Sequence, residues 1–211
     1  MCALEIHEIP VTPFEQNCTL LVCPETGAAA VCDCGDAGPV LARAAELGVE
    51  IGRILATHGH LDHVAGTAEL KAATGAEFWY PSGDAMWLQH LPDQARMYGW
   101  GPVEVPECEH DLAEGDRIEI GRAVLEVRHC PGHTPGHVVF YDAAGGRLVA
   151  GDVLFAGSVG RTDFPGGSWA ELERSIRTRI YTLPDETVVH CGHGPATTVG
   201  REAATNPFVR R

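Results

Sequence analysis

The run Thr57-His58-Gly59-His60-Leu61-Asp62-His63 places three imidazoles and a carboxylate within six residues. Such a set suits metal ions, because neutral imidazole nitrogens and carboxylate oxygens are good ligands for zinc, iron and manganese. If the chain stays extended from Ile54 to His60, its period of two puts His58 and His60 on one side, where both rings reach one ion. Asp62 fits a helix N-cap, with His63 in the first turn of the amphipathic stretch Val64 to Thr74. That turn would aim Asp62 and His63 at a neighbouring position, so one short segment can serve two metals. A lone His-x-His reads as a polar surface loop, whereas four alternating donors ahead of a helix read as a metal site.

The elements that must hold these donors are apolar runs. Ile51 to Ala56 is strand-like and delivers the first cluster. Ala123 to Arg128 alternates like a half-buried strand and delivers His129-Cys130-Pro131-Gly132-His133-Thr134-Pro135-Gly136-His137, where Pro131 and Gly132 stop the strand and free His133 to turn inward. Arg147 to Ala150 ends at Gly151-Asp152, and Thr187 to Val189 ends at His190-Cys191-Gly192-His193-Gly194-Pro195. Loops at strand ends are held by a rigid sheet and stay open to a substrate.

Together these pieces resemble the metallo-beta-lactamase superfamily: THGHLDH at 57–63, PGHTPGH at 131–137, GD at 151–152 and CGHGP at 191–195. Within it the chain is similar to the small type II glyoxalases, the hydroxyacylglutathione hydrolase-like proteins. Pro10 to Cys18, Val159 to Pro165 and the ending Asn206-Pro207-Phe208 carry that finer match. The resemblance implies one metal held by His58, His60 and His133 and another by Asp62, His63 and His193, with Asp152 between them. The implied cofactors are two divalent ions, zinc first, with iron or manganese as alternatives. His129 and His137 match no ligand position; His137 is expected to support the site or to start the next strand. His7, His90 and His110 have no partner pattern and read as solvated or satisfied.

The resemblance further implies a thioester hydrolase that cleaves S-D-lactoylglutathione to D-lactate and glutathione in methylglyoxal detoxification. A hydroxide shared by the two metals would attack the carbonyl, with Asp62 orienting or deprotonating the water and Asp152 fixing the geometry. No serine lies in a GxSxG context. Two-domain type II glyoxalases carry an extra helical domain that helps hold glutathione, so contacts here fall to Arg161 or to Arg96, Tyr98 and Trp100. Arg161 either binds an anionic substrate or pairs with Asp163 or a carbonyl. Three alternatives stand beside this reading. One is a persulfide dioxygenase of the same fold using one iron on His58, His133 and Asp152, and another is a lactonase. The last is a non-catalytic metal-binding protein, against which all seven positions are present.

Composition fits an α/β protein: 211 residues are enough for one well-buried core, read as a single domain over 1–211 with an αββα sandwich of two mixed sheets and helices on the outer faces. Strands are expected near 4–9, 17–23, 28–32 and 51–56 with helices at 37–47 and 63–74. The second half is expected to hold strands near 117–120, 123–129, 137–142, 147–151 and 187–190, and a helix from Ala170 to Tyr181. Ser82 to Gly101 reads as a helix then a loop, and Pro102 to Asp116 as an acidic loop. A net charge of −14 with a single lysine argues against nucleic acid as partner. No apolar run is long enough for a membrane span, and Met1 to His7 lacks a signal-peptide pattern, so the expected partner is a small thioester in the cytoplasm. Eight cysteines without a secretory signal read as reduced thiols. Cys32-Asp33-Cys34 reads as packing, with Cys34 departing from the family pattern, and Cys34 and Cys191 are flagged as oxidation-sensitive for lying near the site. Oligomeric state has no signature in the sequence.

Overall fold

The computed structural model describes residues 2–211. Its frame is a pair of six-stranded mixed sheets, the αββα arrangement expected from the sequence. The first sheet runs β1 (Glu5–Val11), β2 (Gln16–Val22), β3 (Ala28–Cys32), β4 (Glu50–Leu55), β5 (Glu77–Tyr80) and β6 (His110–Asp111), in spatial as well as chain order. Tight turns make β1 to β3 antiparallel. From β3 onward the strands are parallel, which demands crossover connections. Helices supply them: α1 (Ala37–Leu47), α2 (Leu61–Val64), α3 (Thr67–Thr74), α4 (Ala85–Gln89) and α5 (Leu91–Met97). Asp36 starts α1 by accepting from the Gly38 amide, and Gly48 ends it at φ 65°.

The second sheet holds the antiparallel β7 (Arg117–Ile120), β8 (Ala123–His129), β9 (Val138–Asp142) and β10 (Arg147–Gly151). A small hairpin of β11 (Leu154–Phe155) and β12 (Ser158–Val159) follows, then α6 (Trp169–Ser175), which runs into a π-helical turn over Ile176–Ile180. That crossover brings β13 (Val188–Cys191) parallel to β10, and β14 (Thr197–Thr198) leads into the closing α7 (Val199–Thr205).

Alternation along the strands divides the core into layers. All of β2 is buried: Leu20 packs with Val31, Ile54 and Phe78 beneath the helices, while Leu21 packs with Leu55, Leu125 and Phe140 between the sheets. Beyond the second sheet, Val139, Leu148 and Val189 pack on Leu172, Ile176 and Ile180. Strands buried on both faces explain why the sequence reads as continuous apolar runs. Among the described residues no helix is long and apolar enough to cross a membrane.

The structure corrects several boundaries. The helix expected over 63–74 is two helices, because Gly66 lies against the backbone of Asp36 and Ala37 and gives its amide to the Cys34 carbonyl. Asp62 is not an N-cap: His60 occupies that position and Asp62 lies inside the first turn of α2. The chain from Thr57 to His60 bends instead of continuing β4. β5, β6 and α7 lie outside the expected elements; β5 and β6 are four and two residues long, too short to show a period.

Candidate metal centre

Four loops bring the seven expected donors to one edge of the sandwich. β4 delivers His58, His60, Asp62 and His63, β8 leads to His133, β10 to Asp152 and β13 to His193. His58 Nε2 and His133 Nε2 each lie 3.0 Å from His60 Nδ1, forming one trio. In the second, Asp62 Oδ2 lies 3.1 Å from His193 Nε2 and 3.7 Å from His63 Nε2. Asp152 stands between them, with Oδ1 3.5 Å from His63 Nε2, and Oδ2 3.6 Å from His133 Nε2 and 3.7 Å from His193 Nε2.

Hydrogen bonds behind the rings decide what the inward atoms are. His133 Nδ1 donates to the Arg161 carbonyl at 2.7 Å, leaving Nε2 as a lone pair. The Thr57 hydroxyl donates to Asp33 Oδ2 and can therefore only accept from His58 Nδ1, so His58 Nε2 is a lone pair too. A single proton on His60 Nδ1 satisfies only one of these two neighbours. In the second trio His63 Nδ1 donates to Asp33 at 2.9 Å and His193 Nδ1 to the Phe14 carbonyl at 3.1 Å, turning both Nε2 atoms toward carboxylate oxygens. His63 Nε2 and Asp152 Oδ1 are buried without hydrogen-bond partners. Lone pairs facing lone pairs and carboxylates require a cation between them, and both trios fit a divalent ion.

Electrostatics agree. Burial drives His58, His60 and His133 below the ordinary imidazole range, which keeps them neutral as ligands must be. Burial also opposes a charge on His63, but the Asp152, Asp62 and Asp33 carboxylates outweigh it and push its pKa up to about 10. Asp62 goes the other way: burial opposes its charge, yet His63 and His193 hold it well below the usual carboxylate range. A metal must therefore displace a proton from His63. Uptake by metal-free protein at pH 8 should release about one proton, and affinity should fall about tenfold per pH unit on acidification. Calorimetry in buffers of different protonation enthalpy reads both.

Three supporting residues were not apparent in the sequence. Asp33, at φ 60°, accepts from the Thr57 amide and hydroxyl, each at 2.7 Å, and from His63. Asp84 accepts from the Gly59 amide at 3.2 Å, the Thr134 hydroxyl at 2.6 Å and the Gly136 amide at 2.5 Å, tying the two loops of the first trio together. Gln94 accepts from the Leu61 amide and donates to the Gly59 carbonyl. Asp33 did leave a signal, since it follows an apolar strand as Asp152 does. His137 supports the site as expected: it stacks on His58 at 4.8 Å and its Nε2 accepts the Asp152 amide at 3.1 Å.

The donors form the floor of a cleft of about 660 Å³ walled by Phe14, Trp87, Tyr98, Phe155 and Phe164. Arg161 lines it with a guanidinium 4.1 Å above the Phe164 ring and a bidentate pair to Asp163 at 2.6 and 2.7 Å. Both expectations for Arg161 are thus met in one arrangement. Of the other candidates, Tyr98 lines the cleft, but Arg96 pairs with Asp93 outside it and Trp100 packs on Phe14. His129 is exposed and contacts the Pro135 carbonyl. Cys34 and Cys191 are buried, and burial pushes the Cys191 thiol up to about 12, so the oxidation sensitivity expected of them is not supported.

Gly192 admits no side chain: a Cβ there would fall on Asp152 Oδ1 and 3.0 Å from His63 Cε1. Gly192→Ala should weaken binding of the second metal by about tenfold or more while the sheets stay folded, as metal analysis after dialysis and circular dichroism would show.

Comparison with known proteins agrees with this geometry. The sequence profile of the metallo-beta-lactamase superfamily matches residues 11–193. The hydroxyacylglutathione hydrolase GloC of Haemophilus influenzae is 39% identical over 209 residues, covering 98% of each chain. The crystal structure of TTHA1623 in a di-iron-bound form has a TM-score of 0.88 at 38% identity, covering 96% of this chain and all of the other. The BLEG-1 B3 metallo-beta-lactamase has a TM-score of 0.90 at 32% identity, covering 97% and 99%.

Proposed function

Because the chain belongs to the metallo-beta-lactamase superfamily, we propose that its cleft is the active site of a two-metal thioester hydrolase whose substrate is S-D-lactoylglutathione. The observation that carries this reading is the complete set of seven inward donors at the floor of an open cleft. His58, His60 and His133 would hold one ion and Asp62, His63 and His193 the other, with Asp152 shared. Zinc is the proposed metal, iron the competitor that the di-iron relative brings forward. Two bound divalent ions supply Lewis-acid chemistry, acidifying water toward neutral pH and polarising a carbonyl.

The chain's own groups do the rest. Asp62, held ionised, accepts a hydrogen bond from the attacking water and aligns it. Asp152 spans the two trios and sets their separation. Burial beneath Trp87 and Phe164, whose rings lie 4.5 and 4.8 Å from His60, keeps bulk water off the reacting carbonyl. A thiol of ordinary pKa, about 8.5, leaves readily as thiolate, so no general acid is needed. Arg161 offers the cleft a cation for a glutathione carboxylate. Its carbonyl holds His133 through the main chain, so the side chain can be removed without releasing the ring. Arg161→Ala should raise KM for the anionic thioester by about tenfold with kcat nearly intact; unchanged constants would assign the guanidinium to Asp163 alone.

The deciding experiment is thiol release from S-D-lactoylglutathione by zinc-loaded protein, with Asp152→Ala as control. Turnover lost in the variant supports the reading. Absence of turnover, together with oxygen uptake on glutathione persulfide by iron-loaded protein, would replace it with the dioxygenase.

A further inference from the structure

Two of the eight cysteines stand apart from the rest. Burial raises the thiols of Cys18, Cys32, Cys130 and Cys191, which keeps them protonated and inert. Cys2 and Cys23 instead meet sulfur to sulfur at 3.3 Å where the N-terminal segment crosses the end of β2. The segment is pinned on both sides of Leu4, whose amide donates to Asp142 at 3.0 Å and whose carbonyl accepts from Arg147 at 2.7 Å. Cys2 is thereby held as a partly exposed cover over a shallowly buried Cys23.

The β7–β8 turn completes the arrangement. The Arg122 amide donates to Cys23 Sγ at 3.4 Å. It can approach because Gly121 precedes it, where a Cβ would fall on Thr26 Oγ1 and 2.9 Å from Cys23 Sγ. Burial opposes a thiolate at Cys23, but donors from Thr26, Arg122, Cys2 and Glu25 bring its pKa down to about 6, while the bond to Cys23 raises that of Cys2. The pair therefore shares one proton, and its transfer across the contact places the charge on the exposed sulfur.

We propose that Cys2 and Cys23 form a redox-active dithiol that reduces a hydroperoxide and closes to an intramolecular disulfide. The Cys2 thiolate attacks a peroxide oxygen, breaking the O–O bond and giving a Cys2 sulfenic acid and one water. The Cys23 thiolate then attacks the Cys2 sulfur, the S–S bond forms, and hydroxide leaves as the second water. Two thiols and one hydroperoxide are converted to one disulfide, water and the corresponding alcohol or water. The pair lies away from the metal centre: the Cys23 amide bonds the Ala28 carbonyl at the start of β3. The length of that strand, about 15 Å, separates it from Asp33. Thioester turnover is expected to be unaffected.

The test treats metal-loaded Cys108→Ser protein, which lacks the exposed cysteine of β6's approach, with a small excess of hydrogen peroxide, followed by alkylation, intact mass and peptide mapping. The expected product is about 2 Da lighter, joins the Cys2 and Cys23 peptides, and melts about 5 °C higher until a thiol reductant reverses it. In Cys23→Ser, Cys2 should instead gain oxygen without a crosslink. Two freely alkylated sulfurs, or Cys2 oxidised at the same rate and to the same oxygen adduct in both proteins, would overturn the proposal.

Discussion

Asp152→Ala is expected to lower thioester turnover by about a thousandfold, ~4 kcal/mol of transition-state stabilisation, without unfolding the protein. Its carboxylate reaches both trios, so its removal leaves His63 and His193 in one pocket and His133 in the other without the shared oxygen pair. The fold loses little. Asp152 follows β10 on a loop, and the contact that positions the loop is the Asp152 amide to His137, which alanine keeps. Metal analysis should find fewer than two ions per chain, and circular dichroism should find the same sheets. Full activity in this variant would sink the two-metal mechanism.

Asp84→Ala should act on stability and activity together. Asp84 is fully buried and accepts three hydrogen bonds from the loops that carry His58, His60 and His133. Burial raises its pKa against the opposing pull of Thr134, Gly136 and Gly59. Alanine would strand three donors in the interior, a cost of about 3 kcal/mol or more, equivalent to a fall in Tm of about 6–12 °C for a chain of this size. Activity at a temperature where the variant is folded should still drop on the order of tenfold, because Gly59 sits between two ring-bearing residues and loses its tether. Asp84→Asn, which keeps acceptor capacity, should recover part of both losses. Stability lost with kcat unchanged would reduce Asp84 to a packing residue.

The metal donors were legible because they cluster: His58 to His63 lie within one loop, and His133, Asp152 and His193 each follow an apolar run. The sandwich was legible because strands such as β2 and β9, buried on both faces, leave unbroken apolar runs. Asp84 and Gln94 were not legible. Each is one polar residue in an unremarkable helical stretch, and its role comes from partners far along the chain, with Gly136 52 residues from Asp84. The break between α2 and α3 was hidden for a similar reason: it depends on a contact between Gly66 and Asp36 across the fold, not on a local breaker of the helical pattern.

The division of the seven donors along the chain has a consequence for biosynthesis. His58, His60, Asp62 and His63 leave the ribosome about 70 residues before His133 and about 130 before His193, and neither trio is whole until β13 has joined β10. That parallel pairing is a long-range event and belongs to the slow part of folding. A nascent chain offers only a partial grip on a cation, so metal acquisition follows assembly of the second sheet. The ions then act as a latch on a finished sandwich, slowing its opening and doing nothing to speed its formation.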